Sequence, residues 1–329
     1  MAIKASAPGN LFLFGEHAAV YGRPAICAAV GKRTEVLVSE NNKVSVVIFS
    51  DAFGKAEIPF APDEKIRAEK KELENVALFV RHIRKKFGIT KGFDLKIASE
   101  VPVNSGMSSS TAVFCSILGA LSAFAGKSLD KKEYFDIIFP YQAKVHGGKA
   151  SGSEIVSSTF GGFSYIKKLK DGIPPKIETK NIEGHKFYVV IANTKVDAPT
   201  SLTVGYHVPS LIKRDSKFVY GVFDKIAEVA EEAIPALKGK NVEALGELMN
   251  ENQKLLSSLG LSHPKLDDCI KEALSAGALG AKLSGGGWGG IMFALCREKD
   301  VSAVKKAIAS TGAETIETEI GACGITVSE

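Results

Sequence analysis

Two rhythms of apolar residues run along the chain. Period-two alternation rich in β-branched and aromatic residues predicts strands over residues 4–6, 11–14, 34–39, 44–50 and 92–99. Apolar positions three and four apart predict helices over 72–87, 111–124 and 131–146. An apolar segment at 163–169, the turn Gly172-Ile173-Pro174-Pro175 and a strand at 186–192 mark the passage into a second half. That half reads as helices at 217–238, 241–259 and 264–276, a strand at 290–296, a helix at 299–310 and a terminal strand near 324–327. The sum is an α+β pattern with no internal repeat, low-complexity tract or flexible linker.

Candidate chemistry gathers in three segments. Residues 102–112, PVNSGMSSSTA, are small and hydroxyl-rich and lead directly into an apolar helix. Such a loop presents unpaired backbone N–H groups and the positive end of the helix dipole, which suits an anion such as phosphate. Ser108, Ser109 and Ser110 add hydroxyls for a phosphate oxygen or a magnesium ion. The plainer alternative is a serine-capped buried helix with no ligand. Near the N-terminus, the strand at 11–14 ends at Gly15 and delivers Glu16 and His17 into a turn, where a solvated strand end is the commoner fate of such a pair. Near the C-terminus, Gly285, Gly286, Gly287, Gly289 and Gly290 surround Trp288 ahead of an apolar strand. They allow close approach to a ligand or another strand, or a tight hairpin turn. Two lookalike phosphate motifs carry no weight. Gly126-Lys127-Ser128 has Leu121 where a P-loop needs its first glycine, and the G-x-G-x-x-G letters ending at Gly290 precede a strand rather than a helix.

Composition narrows this picture little. In 329 residues, 45% are hydrophobic and 24% charged, as in ordinary globular proteins, and the net charge of +5 is mild. The densest basic cluster, Arg81 to Lys86, reads as the solvated end of a helix, so no nucleic-acid partner is expected. Cys27, Cys115, Cys269, Cys296 and Cys323 lack metal-like spacing and four of them sit among apolar residues, which predicts reduced, buried thiols in a cytoplasmic protein. Only Met-Ala-Ile precedes Lys4, unlike a signal peptide, and the longest apolar run, 112–125, is too short to span a bilayer; no membrane partner is expected.

Together, the run GEHAAVYG at 15–22, the loop at 102–112 and GAKLSGGGWGG at 280–290 resemble the signatures of the GHMP kinase superfamily, in the same order. The first is similar to that of its mevalonate kinases, and GGKASGSEIVSSTFGG at 147–162 extends the likeness across the chain. The resemblance implies a two-lobed α+β fold, with an ATP-binding lobe at 1–165, a second lobe at 166–329 and the active site in the cleft between them. It implies ATP- and Mg2+-dependent phosphorylation of a hydroxyl of mevalonate in isoprenoid precursor synthesis, and leaves a homodimer open. By resemblance Asn104, Ser105, Gly106, Met107, Ser108, Ser109 and Ser110 wrap the triphosphate, and Ser110 coordinates magnesium. Glu16, His17, Tyr21, Thr200, Gly285, Gly286 and Gly287 belong to the substrate side; Lys195, which no motif supports, reads as surface.

Departures from the family pattern fall on charged positions. Asn10 stands where a lysine is usual, Glu154 where the presumed base is aspartate, and Ala143 where a magnesium-binding glutamate is usual, with Gln142 beside it as a weaker ligand. Asn104 and Ser108 replace glycines of the phosphate loop. One account is a working kinase in which Glu154 is the base and Lys149 or another cation substitutes for the missing lysine at Asn10. The alternatives are another acceptor, such as a phosphomevalonate or a sugar, and a nucleotide-binding homologue without turnover.

Overall fold

Two long strands, β1 (Ala2–Phe14) and β2 (Pro24–Glu40), organise the architecture. The computed structural model describes residues 2–61, 65–103, 106–145, 151–172, 174–197 and 199–329. After β2 come β3 (Ser45–Ser50), β4 (Gly54–Pro59), β5 (Arg67–Ala68), helix α1 (Lys71–Phe87), β6 (Phe93–Ser99), α2 (Ser109–Phe124), α3 (Lys131–Val145) and α4 (Ser153–Phe160). The chain continues through β7 (Phe163–Lys170), β8 (Lys176–Ile182), β9 (Phe187–Asn193), the short α5 (Thr200–Leu202), a π turn (Thr203–His207), α6 (Val208–Arg214), α7 (Ser216–Lys238), α8 (Val242–Ser258) and α9 (Pro264–Ser275). It closes with β10 (Gly280–Ser284), β11 (Ile291–Cys296), α10 (Val301–Ala309), β12 (Glu314–Ile320) and β13 (Thr326–Ser328). Among the described residues, no helix is long and apolar enough to cross a membrane.

These elements form two compact units. Met1–Gly9, Lys32–Phe160 and Cys323–Glu329 make the first; Asn10–Gly31 and Gly161–Ala322 make the second. The chain thus changes unit four times. The boundary read at 165/166 lies near the third change, and the other three have no counterpart in the apolar pattern.

In the first unit, the C-terminal half of β2 pairs antiparallel with β6, β6 pairs parallel with β3, and β3 forms a hairpin with β4. The start of β1 pairs with β13. Helix α2 is apolar almost all round and correspondingly buried. Its Phe114 meets Phe79 of α1 edge-on, with ring centroids 4.9 Å apart. The Arg33 guanidinium donates to Ser6 Oγ at 2.8 Å and to the Cys323 and Gly324 carbonyls at 2.7 and 2.8 Å, tying β1, β2 and the C-terminal segment together.

The second unit is antiparallel throughout, in the order β10-β11-β9-β12-β2-β7-β8, with the N-terminal half of β2 used here. Strand β10 lies at the sheet edge, and α8 covers it. Asn250 Nδ2 donates to the Leu279 carbonyl at 3.2 Å, while Asn250 Oδ1 and Gln253 Oε1 accept from the Ala281 and Leu283 amides at 3.0 and 2.9 Å. Side-chain amides thereby satisfy an edge that would otherwise be a template for pairing.

Several elements differ from their sequence expectation. The strands at 4–6 and 11–14 are one strand, because Pro8 and Gly9 continue it instead of breaking it; at Gly9 the Met107 carbonyl lies 2.7 Å from where a Cβ would stand. β4, β8 and β12 carry too many charges to show an apolar alternation, and the five-residue β10 is too short to show one, yet each is paired. Helix α4 was not visible at all in a stretch read only as a motif. Cys27, Cys115, Cys269 and Cys296 are buried free thiols, and Cys323 is exposed.

Close approach of α8 to β10 depends on Gly246, whose Cβ would stand 2.6 Å from the Leu279 carbonyl carbon. Within a helix, Gly→Ala is ordinarily favourable. Gly246→Ala is instead expected to destabilise the protein by about 1–3 kcal/mol through overpacking, measured as a lower urea midpoint.

Candidate active site

On the second unit, the chain leaves β1 through Gly15, whose left-handed φ of 96° and contact with Ala25 Cα, 2.5 Å from a would-be Cβ, admit only glycine. The turn that follows carries Glu16 and His17 inward: they are only 2% and 5% exposed, so the solvated strand end is not what forms. Glu16 pairs with Lys282 of β10, a side chain with no exposure, and accepts from Asn252 Nδ2 at 3.2 Å. Lys282 Nζ also donates to the Leu283 carbonyl at 2.7 Å and lies 5.3 Å from the centre of the Phe293 ring. Burial pulls the Lys282 ammonium below the usual lysine value, and the Glu16 carboxylate opposes that shift. Ser284 joins β10 to β1, accepting from the Phe12 amide at 3.1 Å and donating to its carbonyl at 3.2 Å.

His17 completes this arrangement. Desolvation, aided by the charge of nearby His207, pushes its pKa down to about 4, against the hydrogen bond to Gly286. The neutral ring donates from Nε2 to the Gly286 carbonyl at 2.9 Å, which assigns the tautomer and leaves Nδ1 an acceptor. Nδ1 is buried and has no hydrogen-bond partner among the described residues. Thr200 and Thr203 stand on the other side of Gly286, their hydroxyl oxygens 3.1 and 2.9 Å from a would-be Cβ. The glycine run is the hairpin between β10 and β11, and Gly287 is forced by the Leu261 carbonyl, 2.1 Å from a would-be Cβ. A Cβ at Gly285 would meet open space. Trp288 adopts a left-handed φ of 64°, donates from Nε1 to the Gly260 carbonyl at 2.7 Å and lies 4.8 Å from the His207 ring. Tyr21 stacks on Phe223 of α7 at 5.1 Å. Asn10 is buried within β1, and Lys195 is a surface residue paired with Glu314 at 2.8 Å.

On the first unit, Gly106 and Ser108 are both left-handed, with φ of 68° and 56°. Serine bears the strain that a glycine would not at this position. The Ser108 side chain makes no capping hydrogen bond to α2, which removes the serine-capped alternative. Met107 is fully buried, which takes its side chain out of reach of a ligand, and Ser109 Oγ donates to the Val101 carbonyl at 3.4 Å. Ser110 is the second residue of α2, one before Thr111. Thr111 Oγ1 donates at 3.2 Å to Glu154 Oε2 on the first turn of α4, and Gln142 of α3 donates from Nε2 to both Thr111 Oγ1 at 3.0 Å and Glu154 Oε2. Asn104, Ser105 and Lys149 lie outside the described residues.

Thus the structure gathers His17, Thr200 and Gly286 at one place, and Glu154 close behind the start of α2 at another. Thr111, Gln142 as a partner of Glu154, Asn252 and Lys282 were not found as site residues from their sequence context. The nearest signal was Gln142 beside Ala143; Lys282 was quoted only as part of the glycine motif.

Oxygen donors near the start of α2 are the Ser110 hydroxyl and the Glu154 carboxylate. No group of three or more His, Cys, Asp or Glu among the described residues could hold a metal alone. The set fits magnesium, which keeps several waters and takes one or two carboxylates plus substrate phosphates.

The chain matches two sequence families, GHMP kinases N terminal domain over residues 74–162 and GHMP kinases C terminal over 233–314. It is 32% identical to a curated mevalonate kinase of Thermococcus gammatolerans, the alignment covering 100% of this chain and 99% of that protein. The crystal structure of L. major mevalonate kinase in complex with R-mevalonate superposes with a TM-score of 0.82 at 22% identity, covering 98% of this chain and 96% of that one. That of Methanococcus jannaschii mevalonate kinase gives 0.81 at 23%, covering 97% and 98%. The two structural matches carry the fold.

Two outcomes follow from the buried charges. Lys282→Met, which strands Glu16, is expected to lower stability by about 3–5 kcal/mol, and the double variant with Glu16→Gln to recover much of it; thermal unfolding of the three proteins checks this. An unfolded histidine binds its proton near pH 6.5, whereas folded His17 does so at about 4. Between these values the unfolded state holds more protons, so His17 makes stability fall as pH falls, by up to about 1.4 kcal/mol per unit. His17→Asn, which removes the titrating ring, is expected to flatten the change in urea midpoint between about pH 6.5 and about pH 5.

Proposed function

The chain belongs to the GHMP kinases, in the mevalonate kinase family, and on that footing we propose that it transfers the γ-phosphoryl group of ATP to a hydroxyl of mevalonate. The observation that carries the acceptor's identity is the likeness to curated mevalonate kinases along the whole chain. The reaction needs positioning and charge stabilisation more than covalent chemistry.

In this reading the amides at the start of α2, uncapped by Ser108, and the hydroxyls of Ser109 and Ser110 take the triphosphate, with Asn104, Ser105, Gly106 and Met107 contributing loop backbone. Ser110 and Glu154 would hold magnesium, which when bound neutralises charge on the phosphates. Glu154 accepts the proton of the acceptor hydroxyl as its oxygen attacks phosphorus, and ADP leaves. Asn10 supplies a neutral polar contact where the family has a cation, and Lys149 supplies the charge.

Acceptor binding falls to the second unit. His17 Nδ1 can only accept, so it suits an alcohol O–H and rejects a carboxylate. The Thr200 hydroxyl and the backbone of Gly285, Gly286 and Gly287 line the same place, with Tyr21 at the far end of the short 3-10 turn that His17 begins. Glu16, engaged by Lys282 and Asn252, serves by fixing the turn that presents His17.

The test is a coupled ADP-release assay with ATP and magnesium against mevalonate, phosphomevalonate, homoserine and galactose. Turnover selective for mevalonate is expected, and selectivity for another acceptor would overturn the assignment. Glu154→Gln is expected to lower kcat by about 10²–10⁴-fold with ATP binding retained by calorimetry; undiminished turnover would remove Glu154 from the role of base.

A further inference from the structure

Glu154, Thr111 and Gln142 form a closed triangle of hydrogen bonds with a definite sense. Gln142 Nε2 spends its two hydrogens on Thr111 Oγ1, at 3.0 Å, and on Glu154 Oε2. Thr111 Oγ1, having accepted one of them, directs its own hydrogen to Glu154 Oε2 at 3.2 Å. Every donor and acceptor role is thereby determined, since a reversed amide would set Gln142 Oε1 against the carboxylate. Both supporting residues are buried, Thr111 completely and Gln142 to within 1%.

The price of this orientation is visible in Gln142 Oε1, a buried oxygen with no hydrogen-bond partner among the described residues. Native cores rarely tolerate such an atom, and where they do it marks a requirement other than packing. Three elements supply the triangle: α2, α3 and α4. A glutamate side chain has three rotatable bonds, so a carboxylate on it is poorly directed unless something holds it.

We propose that Gln142 and Thr111 are positioning residues for phosphoryl transfer, holding Glu154 in a single orientation towards the acceptor hydroxyl. Neither touches the substrate; both act through the carboxylate. The proposal rests on the reading of Glu154 as the base. Two donors on one oxygen fix the plane of the carboxylate, and small misplacements of a reacting group are expensive. Thr111 both accepts from Gln142 and donates to Glu154, so its hydroxyl passes the orientation of the amide on to the carboxylate.

The experiment measures steady-state kinetics with mevalonate for Gln142→Met, Thr111→Val and Thr111→Ser, alone and combined with Glu154→Gln. Gln142→Met and Thr111→Val are expected to lower kcat about 10- to 100-fold, with KM for ATP and calorimetric ATP binding little changed. Thr111→Ser keeps the hydroxyl and is expected to retain most of the rate. In the Glu154→Gln background, Gln142→Met is expected to cost nothing further, because the group it positions is already gone. A merely structural role would lower the rate equally in both backgrounds and move ATP binding with it. If Glu154→Gln abolishes turnover while Gln142→Met and Thr111→Val stay within twofold of the parent, the positioning role is overturned and the base stands. If Glu154→Gln itself turns over normally, the base reading fails and the positioning role falls with it. Should Gln142→Met not fold, the Thr111→Val and Thr111→Ser pair decides the matter.

Discussion

A lysine and a glutamate buried together, Lys282 against Glu16, impose the constraint on which the second unit depends. Removing two charges from water is costly, and their attraction offsets that cost only when the remaining hydrogen-bonding capacity is also met. Asn252 of α8 and the Leu283 carbonyl meet it. A helix, an edge strand and the turn after β1 are therefore held to one register, since a slip of one residue in β10 would turn Lys282 to the opposite face. The same turn orients His17, so the neutral imidazole and its hydrogen bond to Gly286 inherit their geometry from an ion pair that need not touch any ligand.

The first unit handles charge differently. Where the family pattern has a second carboxylate, this chain has Ala143, and the carboxylate that remains is that of Glu154. Two neutral donors, a threonine hydroxyl and a side-chain amide, reach that carboxylate. Neutral hydrogen bonds stabilise a carboxylate less than an ion pair does, but they are directional, and direction is what a longer side chain needs.

Legibility in the sequence followed a physical boundary. Helices with a strong apolar face, such as α1 and α9, and the wholly apolar α2 announced themselves, because burial there is written in local periodicity. So did the glycine hairpin and the segment carrying Glu16 and His17. β12, with the sequence ETIETEI, and β8 did not, since their stability comes from partners remote in the chain. The burial of Glu16 was equally invisible: a charged residue reads as solvated until its counter-charge is known, and Lys282 lies 266 residues away. Thr111 looked like an unremarkable helix residue and Gln142 only like a weak metal ligand, because their contacts depend on two other helices meeting them.

Trp288 is the protein's single tryptophan, and it sits inside the glycine hairpin, against His207 and hydrogen-bonded to the Gly260 carbonyl. All indole emission from the native chain therefore originates at one point of the second unit. The fold has in effect labelled its own hairpin, and the intensity and colour of that light report the polarity and packing around Gly286 without any attached dye.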